Sequence, residues 1–161
     1  MAQQELVQNI AQILTQARDE IRANMQAKGI NASGRTSAAL QVVQGGGKIA
    51  LIKAQGQNAP FGTLQYGRAG GRVPKGFYEI LKQWTRDKGL SFGTETERGT
   101  FAYFLARKIA REGTQRHRSP RNDIYDEPLA KAVDGVRQEA RKYVLGSIKA
   151  VLSSGYTSTD L

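Results

Sequence analysis

The 161-residue chain contains no cysteine and one histidine, His117. Disulfides, thiol catalysis and Cys-ligated metal are excluded, and a lone imidazole removes most histidine metal sites and the ordinary catalytic triads. No apolar run approaches the ~20 residues of a membrane span, and Met1-Ala2-Gln3-Gln4-Glu5 lacks the basic and apolar regions of a signal peptide. The expectation is a soluble protein made in the cytoplasm, with no membrane partner, no cofactor and no metal. Acidic residues are also missing from 29–66, where three bases stand alone.

The formal charge of +10 is unevenly placed. Residues 1–28 balance three acids with three bases, 67–122 carry thirteen bases against five acids, and 123–161 hold five bases and six acids. The middle of the chain could therefore face DNA, RNA or an acidic protein surface, although a solvated basic face is the ordinary explanation of any one of these residues.

A hydrophobic content of 39% is enough for one domain with a modest core. From Gln4 to Lys28, Leu6, Ile10, Ile13, Leu14, Ala17, Ile21 and Met25 recur at helical spacing, and Gly29 reads as the C-terminal cap. This helix would be about 37 Å long. Ser37 to Gln44 and Lys48 to Ala54 are β-compatible runs joined by Gly45-Gly46-Gly47, with a turn before them at Asn31-Ala32-Ser33-Gly34. Gly45-Gly46-Gly47-Lys48 lacks the spacing of a phosphate-binding loop and reads as a hairpin turn. Gln55 to Pro60 is another turn, and Phe61 to Tyr66 a third strand or extended segment.

Two shorter helices follow: Lys75 to Lys88, with Phe77, Ile80, Leu81 and Trp84 on the apolar face, and Glu97 to Glu112, burying Phe101, Phe104, Leu105 and Ile109. Residues 113–122 have no apolar periodicity and read as an exposed loop. A final helix is expected from Glu127 to Leu152 on the stripe Leu129, Val133, Val136, Ala140, Tyr143, Val144, Ile148 and Val151. The result is a single α+β domain over 1–152, in which long first and last helices pack with a small antiparallel sheet and two shorter helices. A flexible polar tail covers 153–161.

The densest motif is Leu64-Gln65-Tyr66-Gly67-Arg68-Ala69-Gly70-Gly71-Arg72-Val73-Pro74, followed by the helix with Trp84 and its Lys88-Gly89 end. Glycine and proline constrain such a loop, and an arginine held in it offers a planar five-donor fork. With Ile30-Asn31-Ala32-Ser33-Gly34-Arg35-Thr36 upstream, and Gly113-Thr114 and Ile124-Tyr125-Asp126 downstream, the order of pieces resembles the neck and tail-completion (head–tail joining) proteins of tailed bacteriophages. Position 65 is Gln where that pattern carries an acid. The resemblance implies a virion structural protein, copies of which form a ring between the connector and the tail. Its partners would be itself, other neck, connector or tail proteins, and genomic DNA passing through the channel.

The interface residues expected on these grounds are Arg68 and Arg72 in the Gly-Arg loop and Arg116, Arg118 and Arg121 in the basic segment. No catalytic residue is expected. Trp84 reads as core, and Asp123, Asp126 and Glu127, just before a helix, read as caps more readily than as metal ligands. A basic nucleic-acid-binding protein is the alternative, and a small hydrolase or nuclease a third class; zinc-finger spacing, a helix-turn-helix and an aromatic-basic RNA motif are all missing. Replacing His117 with Ala is expected to leave folding and assembly nearly intact. Loss of a hydrolytic activity in that variant would overturn the non-enzymatic expectation.

Overall fold

The computed structural model describes residues 3–30, 34–45, 49–54, 61–119, 121 and 123–155. Helix α1 (Gln3–Ala27) buries Ala17, Ile21 and Met25, one step of the helical spacing after another. At its end Gly29 N donates to Gln26 O (2.9 Å) and Ile30 N to Met25 O (3.0 Å), the paired bonds of a Schellman cap. The last helix, α7 (Asp126–Gly155), returns antiparallel along α1. Asn9 Nδ2 donates to Glu139 Oε2 (2.9 Å), Gly135 lies against Ile13, and Asn24 Nδ2 donates to the Ile124 carbonyl (3.2 Å). In this register the last turns of α7 lie beyond the first residue of α1.

Against α1 lies a ribbon of two strands, β1 (Leu40–Gly45) and β2 (Ile49–Ala54), antiparallel with Val43 opposite Leu51. A helical turn, α2 (Arg35–Ala38), precedes it, and Arg22 of α1 ties the two together by donating to the carbonyls of Ser37 (3.0 Å) and Leu40 (2.6 Å). Ile21, Met25, Leu40 and Ile124 form the core cluster, with Ile30, Leu64 and Tyr125 packed on it.

The α+β expectation is overturned, because the chain is predominantly helical. Among the described residues the extended structure is this one ribbon, which is too small to form a sheet layer. Two segments expected as extended are helical. Ser37 belongs to α2, where no β-branched residue precedes Val42 apart from Thr36. Phe61–Tyr66 is helix α3, in which consecutive Leu64 and Gln65 both turn inward, whereas a strand would send them to opposite faces. The turns expected at 31–33, 46–48 and 55–60 and the tail at 156–161 lie outside the described residues; residues 153–155 belong to α7.

The remaining long helices, α4 (Phe77–Asp87) and α5 (Glu95–Glu112), pack on each other. Thr94 caps α5 by accepting from Glu97 N (3.1 Å), while Glu97 Oε2 accepts from Gly93 N (2.9 Å). Arg98 joins the pair, reaching Thr85 Oγ1 and the Leu90 carbonyl at 3.2 Å each.

Gln65 connects α3 to the start of α7. It is wholly buried; its Oε1 accepts from the backbone N–H groups of Ile124 and Tyr125 (3.2 Å each), and its Nε2 donates to Asp126 Oδ1 (3.3 Å). Gln65→Leu would strand two buried donors, and is expected to lower stability by about 2–4 kcal/mol in chemical denaturation. An unchanged midpoint would show that the carboxamide does not hold this junction.

Candidate interface surfaces

Directly after α3 the chain turns at Gly67 (φ 74°) and crosses the end of α5. Arg68 N donates to Thr114 Oγ1 (2.8 Å), Thr114 N returns a bond to the Arg68 carbonyl (2.8 Å), and Gly71 N caps the Ala110 carbonyl (2.7 Å). The two backbones are so close that a Cβ on Gly67 would fall 2.2 Å from His117 N, and one on Gly113 (φ 74°) 2.5 Å from the Arg68 carbonyl oxygen. Only glycine satisfies both the angle and the space at these two positions.

The loop at 67–72 and the segment at 110–118 therefore form one junction. The segment expected as an irregular loop carries a helical turn, α6 (Gln115–Arg118). Of its basic side chains, His117 and Arg118 are exposed and Arg116 turns inward to Asp123.

The five arginines expected at an interface divide into two kinds. Arg68 lies over the Phe77 ring (5.5 Å) and donates to the Arg72 carbonyl, and Arg116 donates to Asp123 Oδ1 at 2.8 Å with both side chains largely covered. These two are occupied within their own fold. Arg118 is exposed and bonds Glu112 Oε2 (3.2 Å). Arg72 and Arg121 are exposed and form no ion pair with the described residues. Near them stand two cations outside the expected interface set, Lys108 and Arg111, which the sequence sets on the polar edge of α5 with Arg107 and which are both exposed on its last turns. Their proximity to Arg72 depends on the backbone bond from Gly71 to Ala110, which no local spacing announces.

Apolar side chains also lie open. On α5, Phe101 and Phe104 are 41% and 61% exposed, which corrects the expectation that they are buried; Gly99 and Ala102 face inward instead. Trp84 is likewise exposed, and the inward positions of α4 are Leu81 and Thr85. On α7, Leu129 and Val133 are open, and so are Val144, Leu145, Ile148, Val151 and Leu152, the last five at 50–69%.

Between α4 and α5 lies an open groove of about 570 Å³, bordered by Tyr78, Lys82, Glu95, Gly99, Tyr103 and Phe104. Its carboxylate is neutralised: hydrogen bonds from Lys82 and Arg86 hold the Glu95 pKa below the usual value, and Arg98 adds a third contact at 3.2 Å. Such a group is an anchor for two helices, and is ill suited to accept protons near neutral pH.

The acids before α7 are similarly engaged. Asp123 meets Arg116 and Lys28, Asp126 accepts from Gln65, and Glu127 pairs with Lys131 at 2.9 Å. Among the described residues no three His, Cys, Asp or Glu side chains are grouped to hold a metal ion, and no helix is long and apolar enough to cross a membrane. Burial pushes the Tyr125 hydroxyl up to about 12. No protein-family model, curated protein or solved structure matches the chain.

The Arg116 hydrogen bond, with the charges of Arg116 and Lys28, holds the Asp123 carboxyl below its ordinary value of 3.8. A depressed carboxyl contributes stability above its unfolded pKa, and that contribution is lost as pH falls through the folded one. Acid unfolding below about pH 4 is therefore expected to be steeper in the parent than in Asp123→Asn. Identical acid limbs would show that this pair is not linked to folding.

Proposed function

We propose that the chain is a virion structural protein of a tailed bacteriophage, one of several copies forming a ring at the head–tail junction as a neck or tail-completion component. It would be made in the host cytoplasm, and would act by joining surfaces without chemistry. The observation that carries this reading is the amount of apolar surface left open on α5 and α7. Large exposed apolar patches mark association sites.

A closed ring of identical subunits needs two different, complementary faces on each copy. The aromatic face of α5 and the aliphatic end of α7 meet that requirement, and each would gain about 25 cal/mol for every Å² of apolar surface covered. The resemblance in the Gly-Arg loop and its companion motifs supplies the location in the virion. Those motif pieces lie together in space: Gln65 with Ile124, Tyr125 and Asp126, and Arg68 with Thr114.

The test is sedimentation velocity over a wide concentration range, with electron microscopy of any assembled species. The parent is expected to form closed oligomers. Ile148→Asp combined with Val151→Asp should leave a folded monomer by circular dichroism, since both side chains are already in solvent. A parent that stays monomeric, or a double variant that assembles as well as the parent, would sink this reading.

A further inference from the structure

The junction of the Gly-Arg loop with the end of α5 collects exposed cations from three separate parts of the chain. Arg72 comes from the loop, Lys108 and Arg111 from α5, and Arg118 and Arg121 from the segment after it. Among the described residues, the carboxylates at this junction are already engaged, Glu112 with Arg111 and Arg118 and Asp123 with Arg116. Cations at a helix C-terminus are ordinary compensation for its dipole, and that accounts for Lys108 and Arg111. It does not account for Arg72 and Arg118, which the backbone bonds of the junction bring to the same end from outside the helix, or for Arg121, whose carbonyl accepts from Arg116 at 3.5 Å.

The patch also lacks what a protein interface has at its centre. Interface cores are apolar and aromatic and are depleted in charge, whereas among the described residues none of the large exposed apolar side chains lies within 67–76 or 105–125, Phe104 standing at the border one turn before Lys108. They are found on the middle of α5, on α4 and on α7, with Tyr66 and Leu90 as isolated cases. A phosphate backbone needs no apolar centre; it needs several guanidinium and ammonium groups on one surface.

We infer that Arg72, Lys108, Arg111, Arg118 and Arg121 form a contact surface for the phosphate backbone of double-stranded DNA, read without regard to sequence. Arg68 and Arg116 hold the patch together from within and do not touch the nucleic acid. The inference deepens the proposed function, which supplies the genomic DNA that the patch would meet. The capacity to bind a duplex belongs to the patch alone.

The test uses fluorescence anisotropy of a short random-sequence duplex with the full chain, at several salt concentrations. With about four phosphate contacts, binding should weaken roughly a hundredfold between about 50 and 200 mM salt. Replacing Arg72, Arg118 and Arg121 together with Gln should reduce the log–log salt slope by about 2.7 and weaken low-salt binding tenfold or more. Lys131, Arg137 and Arg141 of α7 replaced together with Gln remove the same charge elsewhere, and should leave the slope near that of the parent. Should the first triple variant lose its fold, Arg72→Gln with Arg121→Gln, neither ion-paired, takes its place with a slope reduced by about 1.8.

Equal losses in the two triple variants would reduce the effect to net charge and overturn the inference. So would the absence of low-salt binding by the parent, or a patch variant that binds DNA normally while losing self-association, the mark of an acidic protein partner. A parent that binds through the patch yet never assembles leaves the inference standing and removes the neck reading. Assembly without DNA binding does the reverse.

Discussion

A single buried carboxamide governs how the halves of this molecule meet. Gln65 has no solvent to fall back on, so every hydrogen-bonding group that it offers must be met from within the protein. Two N–H groups at the entrance to α7 meet its oxygen, and the Asp126 carboxylate accepts from its nitrogen. A glutamate there would accept the same two backbone bonds, but would set a second carboxylate against Asp126. The amide resolves this by carrying a donor on one side and an acceptor on the other. The glutamine at the motif position where an acid is the pattern is thus matched to the aspartate that opens α7.

From that point the geometry propagates. Fixing α3 on α7 fixes the exit of α3 at Gly67, and the next residues can then lie across the end of α5 with carbonyl and amide groups in mutual contact. The approach is backbone to backbone, with the small Thr114 hydroxyl as the side-chain group taking part. A tight glycine junction thus carries a charged exterior: nothing larger than hydrogen fits between the two backbones at Gly67 and Gly113, and Arg72 and Arg118 are exposed outside the contact.

The long helices were legible because helical periodicity is a local signal. α1, α4, α5 and α7 all lie where three- and four-residue apolar spacing sets them, and the glycines at 29 and 89 close α1 and α4 by the same pair of bonds. Burial was not legible. Periodicity states which residues share a face, but not whether anything covers that face; hence Phe101 and Phe104 share a face of α5 and remain in solvent. The extended reading of Phe61–Tyr66 failed for a related reason. Six residues are too few for period to decide between helix and strand, and the deciding contacts come from Ile124 and Tyr125, about sixty positions away. Of the five arginines, sequence placed all in basic or glycine-rich loops, but the division between internal and external roles depends on Phe77 and Asp123 being within reach.

The exposed groups of this chain are sorted by chemistry. Large exposed apolar side chains lie on α4, the middle of α5 and α7, and a group of exposed cations, two of them paired with Glu112, lies at the junction between the end of α5 and the Gly-Arg loop. Mixing the two would weaken both, since cations within an apolar contact must be desolvated, while large apolar groups among phosphate ligands would hold the anion away. Separation lets each surface work in its own regime. Apolar contacts persist at high ionic strength, whereas contacts to phosphate are steeply weakened by salt. On α5 the separation runs along the helix and not around it, since Phe101, Phe104, Lys108 and Arg111 follow one another on one helical stripe, so apolar contacts can hold at ionic strengths that release a polyanion from the adjoining basic end.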